Sequence, residues 1–175
     1  PYGYEYPHAL RALARITPKS PEVWEEFRTQ LAGKGTITVV QILGELGPEA
    51  SPLLPEVIAV FRTVHGFQLG EVAKALWKIG GDGIAALVAA LDSASTSGYN
   101  PRLDAAVMGL KEAGPAARTA LPALLARLRQ PQASYVQVYV ARTIAAMGTE
   151  AVSVVPDLIK MFVEEHVQDP YDSIR

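Results

Sequence analysis

A glycine returns along this chain at a spacing that few folds tolerate. It opens Gly47-Pro48-Glu49-Ala50, Gly80-Gly81-Asp82-Gly83, Gly114-Pro115-Ala116-Ala117 and Gly148-Thr149-Glu150-Ala151, each preceded by an apolar residue. The leading glycines stand 33, 34 and 34 residues apart (47 to 80, 80 to 114, 114 to 148). A fixed period of this length marks one supersecondary unit used repeatedly, because a unit so short cannot bury its apolar surface alone. Ile16-Thr17-Pro18 extends the series backwards, with Thr17 in the glycine slot and Pro18 matching Pro48 and Pro115. Its spacing to Gly47 is 30, so the first repeat is the most divergent.

The residues around each glycine predict two helices per unit. Before it, apolar residues keep one helical spacing: Val39, Val40, Leu43 and Leu46, then Val72, Ala73, Leu76 and Ile79. The next two units have Ala106, Val107, Leu110 and Ala113, then Val140, Ala141, Ile144 and Met147. That is one face of an α-helix. After it, a second amphipathic run carries Leu54, Ile58 and Phe61, then Leu121, Leu125 and Leu128, then Val155, Ile159 and Phe162. Glycine is expected to close the first helix in the left-handed conformation, and a following proline cannot extend it. Pro55, Pro122 and Pro156 are predicted in the first turn of the main second helix, where the missing N–H costs little. Longer connections are expected from Ser93 to Pro101 and from Pro131 to Ser134. The fold class is therefore all-α, with about five helix–turn–helix repeats near 5–34, 35–66, 67–100, 101–133 and 134–168. Residues 169–175 read as the start of a further repeat. The first residue is proline and the last is Arg175, which predicts a piece of a longer protein.

The strings Ile144-Ala145-Ala146-Met147-Gly148-Thr149-Glu150-Ala151 and Leu110-Lys111-Glu112-Ala113-Gly114-Pro115-Ala116-Ala117 resemble bacterial HEAT-like repeats, also known from phycobilin lyases. Leu43-Gly44-Glu45-Leu46-Gly47-Pro48-Glu49-Ala50 is similar to them too. The resemblance spans nearly the whole chain and implies a right-handed α-solenoid in a single domain, 1–175. It says much less about function, since such scaffolds host many roles. The tetratricopeptide pattern shares the length but is missing its tryptophan, tyrosine and alanine signature here. One feature departs from the HEAT pattern. The arginine usual near the start of the first helix is replaced by Ile37, Gly70, Asp104 and Val138, so apolar packing is expected to hold the repeats together.

Composition narrows the function. The net charge is −2, and apolar residues make up 49% against 19% charged. Such a chain folds, and it lacks the basic excess that nucleic acid or an anionic membrane attracts. Cysteine is absent, which excludes disulfides and thiolate ligands or nucleophiles. No signal peptide or apolar membrane span is read, so the default compartment is cytoplasmic. His8, His65 and His166 occupy unlike positions in three repeats and suggest no metal site. Glu25-Glu26 and Glu164-Glu165 are adjacent on their helices and point about 100° apart, which suits solvated faces better than an acid–base pair. Gly80-Gly81-Asp82-Gly83 lacks the lysine and hydroxyl of a phosphate loop and reads as a loose inter-helix turn. No enzyme is expected, and no cofactor or metal.

A non-enzymatic scaffold for a protein or peptide partner is the reading that remains. The expected contact positions are the non-core sites of the second helices: Glu25, Glu56, Asp92, Arg127 and Lys160. Tyr135 and Tyr139 lie one helical turn apart and suit an interface, or else cover an exposed repeat end. Trp24 is expected in the core. Arg118, Arg127, Arg129 and Arg142 form the densest basic group, but Asp92, Asp157, Glu164 and Glu165 interrupt any stripe. The alternatives are a bilin lyase-like tetrapyrrole handler, which the resemblance alone implies, a DNA-binding HEAT-like protein, and an architectural or coat component.

Overall fold

A computed structural model describes residues 5–17, 20–33, 35–93, 100–130 and 134–160, with side chains for all but 5–7, 93, 134 and 135. All regular structure among them is helical. The helices are α1 (Glu5–Ile16), α2 (Pro21–Leu31), α3 (Thr36–Leu46), α4 (Leu54–Thr63), α5 (Gln68–Ile79), α6 (Asp82–Ser93), α7 (Pro101–Ala113), α8 (Leu121–Leu128) and α9 (Ser134–Ala146). A further segment, α10, covers 155–160. The helices α1, α3, α5, α7 and α9 pack in series, each against the next. A second row runs through α2, α4, α6 and α8. The core lies between the rows and is almost wholly aliphatic, with Phe27, Leu43, Leu76, Leu110 and Met147 among its fully buried side chains.

Local chemistry places the helix ends where the periodicity predicts. Gly47, Gly80, Gly114 and Gly148 all take positive φ, at 61°, 80°, 54° and 59°. For Gly47, Gly80 and Gly114 the accompanying ψ falls between −127° and −160°, outside the left-handed helical well and in a region that glycine alone reaches cheaply. Pro55 and Pro122 sit in the first turn of α4 and α8, and Pro156 is the second residue of α10. After Gly47, Gly114 and Gly148, though not after Gly80, a 3₁₀ segment the periodicity does not reveal precedes the second helix: Gly47–Leu53, Gly114–Ala120 and Gly148–Val154. Asn100 caps α7, accepting from the backbone N–H groups of Arg102 and Leu103 at 3.1 Å each, with Pro101 at the first helical position.

The apolar positions read from the sequence are buried, with informative exceptions. Val39, Leu43, Val72, Ala73, Leu76, Ala106, Leu110, Val140 and Ile144 all lie in the core. Trp24 is only partly buried, set edge-on to Phe27 with ring centres 5.8 Å apart. Ala141, Val155 and Ile159 are exposed although their sequence spacing puts them on apolar faces. Phe162 lies outside the described residues, as do 94–99 and 131–133 in the two longer connections.

The connection between α5 and α6 differs most from its expectation. Gly80-Gly81-Asp82-Gly83 is tight, not loose. Gly81 also takes positive φ, α6 begins at once at Asp82, and no 3₁₀ segment intervenes. A Cβ on Gly83 would stand 2.2 Å from the Leu76 carbonyl oxygen, so only glycine lets α6 approach α5 this closely.

Candidate interaction surfaces

The charged side chains of the second helix row are organised by pairing between neighbours. Arg28 on α2 donates from Nε to Glu56 Oε1 on α4 at 3.0 Å, and its Nη1 lies 3.4 Å from Glu25 Oε2. These two carboxylates, Glu56 foremost, hold the guanidinium charged by raising its pKa. Arg129, just past α8, repeats the arrangement by donating to Asp157 Oδ1 on α10 at 2.8 Å. Arg28 and Arg129 occupy the same place relative to Pro21 and Pro122, as do Glu56 and Asp157 relative to Pro55 and Pro156. This ion-pair series has a sequence signal, an acid directly after the helix-opening proline and an arginine two turns later, which the search for a first-helix arginine ladder passed over. Further pairs join Arg11 to Glu45 at 2.7 Å and Arg118 to Glu150 at 3.4 Å. All are substantially solvent-exposed, so each adds little stability beside the apolar packing.

Of the expected contact residues, Glu25, Asp92 and Lys160 are exposed on the second row. Glu56 is half-buried and engaged by Arg28. Arg127 departs from expectation. It is 3% exposed, so its guanidinium is buried along with its stem, and Nη1 donates to Gln130 Oε1 at 2.9 Å. Its place on the polar side of the sequence pattern is therefore misleading. Tyr139 is exposed on α9, in the first row, and is thus separated from the charged positions. The Tyr135 side chain lies outside the described residues, as do His166, Glu164, Glu165 and Tyr171.

No family model, curated protein or solved structure matches this chain.

The described residues form concave surface features of two kinds. A polar cleft of about 280 Å³ runs between α3 and α5, lined by Gln41, Glu45, Glu71, Lys74 and Lys78. Gln41 Nε2 donates across it to Glu71 Oε2 at 3.0 Å. A larger apolar groove of about 530 Å³ lies between α9 and the segment that leads into and includes α10. Val138, Ala141, Ala145, Val152 and Val155 line it. The basic group noted in the sequence is divided, since Arg118 and Arg129 face acids and Arg127 is buried. His8 and His65 are exposed, and among the described residues no three His, Asp or Glu converge. No single helix among these residues is long and apolar enough to cross a membrane.

Sequence reasoning missed Arg102. Its Nε donates to the Phe61 carbonyl at 2.9 Å and its Nη2 to the Val64 carbonyl at 3.0 Å. A cation from α7 thereby satisfies carbonyls at the C-terminal end of α4, where the helix dipole is negative. Nothing local marks this role, because the partners are some forty residues away.

Proposed function

We propose that this chain is a right-handed α-solenoid of about five HEAT-like repeats that serves as a non-enzymatic scaffold for a protein or peptide. The observation that carries the reading is the register of helix packing. Val39, Val72, Ala106 and Val140 stand at one repeat position and are all buried, on helices that pack in series. Stacked hairpins of this kind leave the second helices side by side as an extended surface, the usual recognition face of such scaffolds.

That surface carries both signs of charge, with Glu25, Asp92 and Lys160 accessible along it. Mixed signs suit a polar protein surface, whereas a polyanion calls for one sign. Tyr139 lies on the other row and belongs to a different surface. Affinity capture with the full chain, followed by titration of the recovered partner, tests the reading. Charge reversal by Asp92→Lys and Lys160→Glu together is expected to weaken binding about tenfold, roughly 1.4 kcal/mol. Unchanged affinity moves the site off the second row, and recovery of no partner overturns the scaffold reading.

A further inference from the structure

Lys74 and Lys78 stand one helical turn apart on α5, and both line the polar cleft between α3 and α5. Lys74 is exposed and Lys78 is half-buried. Among the described residues neither has an ion-pair or hydrogen-bond partner. The carboxylates beside them are already engaged. Arg11 on α1 grips Glu45 at 2.7 and 3.0 Å, and Gln41 donates to Glu71 at 3.0 Å. The cleft is thus set to accept negative charge from outside. Glu71 keeps its own charge there, because Gln41 is neutral, so a monoanion suits the cleft better than a dianion.

The shape of the cleft follows from Gly44. A Cβ on Gly44 would lie 3.0 Å from Ala75 Cα and 3.1 Å from Ala75 Cβ, so this glycine brings α3 against α5 and leaves a bare floor. Gly44 stands three residues before the helix-closing Gly47, the place that Trp77 holds before Gly80. From that place Trp77, half-buried, reaches from α5 to α7, and its Nε1 donates to Glu112 Oε2 at 3.3 Å. Glu112 stands two residues before Gly114, the place of Lys78 before Gly80. The interval between α5 and α7 is therefore spanned by an indole whose N–H meets a carboxylate. In the interval between α3 and α5 no ring comes from Gly44, and the ammonium of Lys78 takes the place of that carboxylate. Donor and acceptor are exchanged, so a flat group lying there must bring the acceptor.

We infer that the cleft between α3 and α5 binds a flat apolar group carrying one carboxylate, with its ring over Gly44 and Ala75 and the carboxylate on Lys78. Lys74 adds a second cation, and hydrogen bonds between ammonium and carboxylate are among the stronger ones. The space of about 280 Å³ is near the lower end of the range that small-molecule sites occupy. A free small acid and the carboxy-terminal aromatic residue of a peptide both present this chemistry. The site lies on the first row and does not depend on the second-row surface proposed above.

Isothermal titration calorimetry of the full chain with indole-2-carboxylate provides the test. Saturable one-to-one binding is expected, with a dissociation constant of about 1 mM or below. Lys78→Met, which keeps most of the stem, should weaken it about tenfold, and neutral indole should bind about tenfold more weakly than the acid. Glu71→Gln should strengthen binding by removing the fixed negative charge. Unchanged circular dichroism verifies that both variants fold. Absence of saturable binding, equal affinity for indole, or insensitivity to Lys78→Met overturns the inference. Inorganic phosphate binding more tightly than the acid also overturns it, by making this a site for dianions. A tripeptide ending in tryptophan, compared with its carboxamide, separates the two sources. Tighter binding of the free-acid peptide than of indole-2-carboxylate supports a chain terminus, and the reverse supports a free small acid. Asp92→Lys with Lys160→Glu should leave the titration unchanged, so failure here and failure of the scaffold reading are told apart.

Discussion

The Leu76 carbonyl oxygen occupies the space in which a side chain on Gly83 would begin, 2.2 Å from the ideal Cβ position. The contact ties the last turns of α5 to the first turn of α6. Gly83→Ala is expected to destabilise the protein by about 1–3 kcal/mol. The helix-propensity gain of about 1 kcal/mol cannot offset a clash with backbone. Urea unfolding checks it, and an unchanged midpoint would show that α6 shifts without cost.

Arg102 binds the end of α4 through two carbonyls, at 2.9 and 3.0 Å. Hydrogen bonds from a charged donor are stronger than neutral ones, and their loss leaves half-buried acceptors. Arg102→Ala should cost about 1.5–3 kcal/mol in chemical denaturation. Arg102→Lys should recover only part of this, since an ammonium lacks the planar fork that reaches both oxygens.

The pair Arg129–Asp157 is short, at 2.8 Å, but both side chains are about half exposed. A double-mutant cycle with Arg129→Ala and Asp157→Ala should give a coupling of about 0.2–1 kcal/mol, shrinking as salt is added. A coupling insensitive to salt would point to packing by the arginine stem.

Burial pushes the Asp104 carboxyl above the ordinary aspartate range. The folded state therefore binds this proton more tightly than the unfolded chain does. Its contribution to stability is greatest in acid and is lost as pH rises from about 4 through the folded-state value. Asp104→Asn should remove this component from the pH dependence of the melting temperature. An identical pH profile in the variant would show that the group ionises as it does in the unfolded chain.

The sequence by itself determined the helical class, the period, the helix stops at Gly47, Gly80, Gly114 and Gly148, and most of the core. These depend on short-range rules: apolar spacing along one helix, positive φ at a glycine, proline in a first turn. Arg28 with Glu56, and Arg129 with Asp157, were legible in principle because they keep a common register. What only the tertiary structure decided is how distant segments meet. It turned Arg127 inward, sent Arg102 to the carbonyls of α4, closed the turn before Gly83, and left Ala141 and Val155 exposed beside their buried equivalents. Apolar spacing reports which face of a helix seeks cover. Whether that face finds it depends on a neighbouring helix arriving at the right angle and distance, and no local pattern records that.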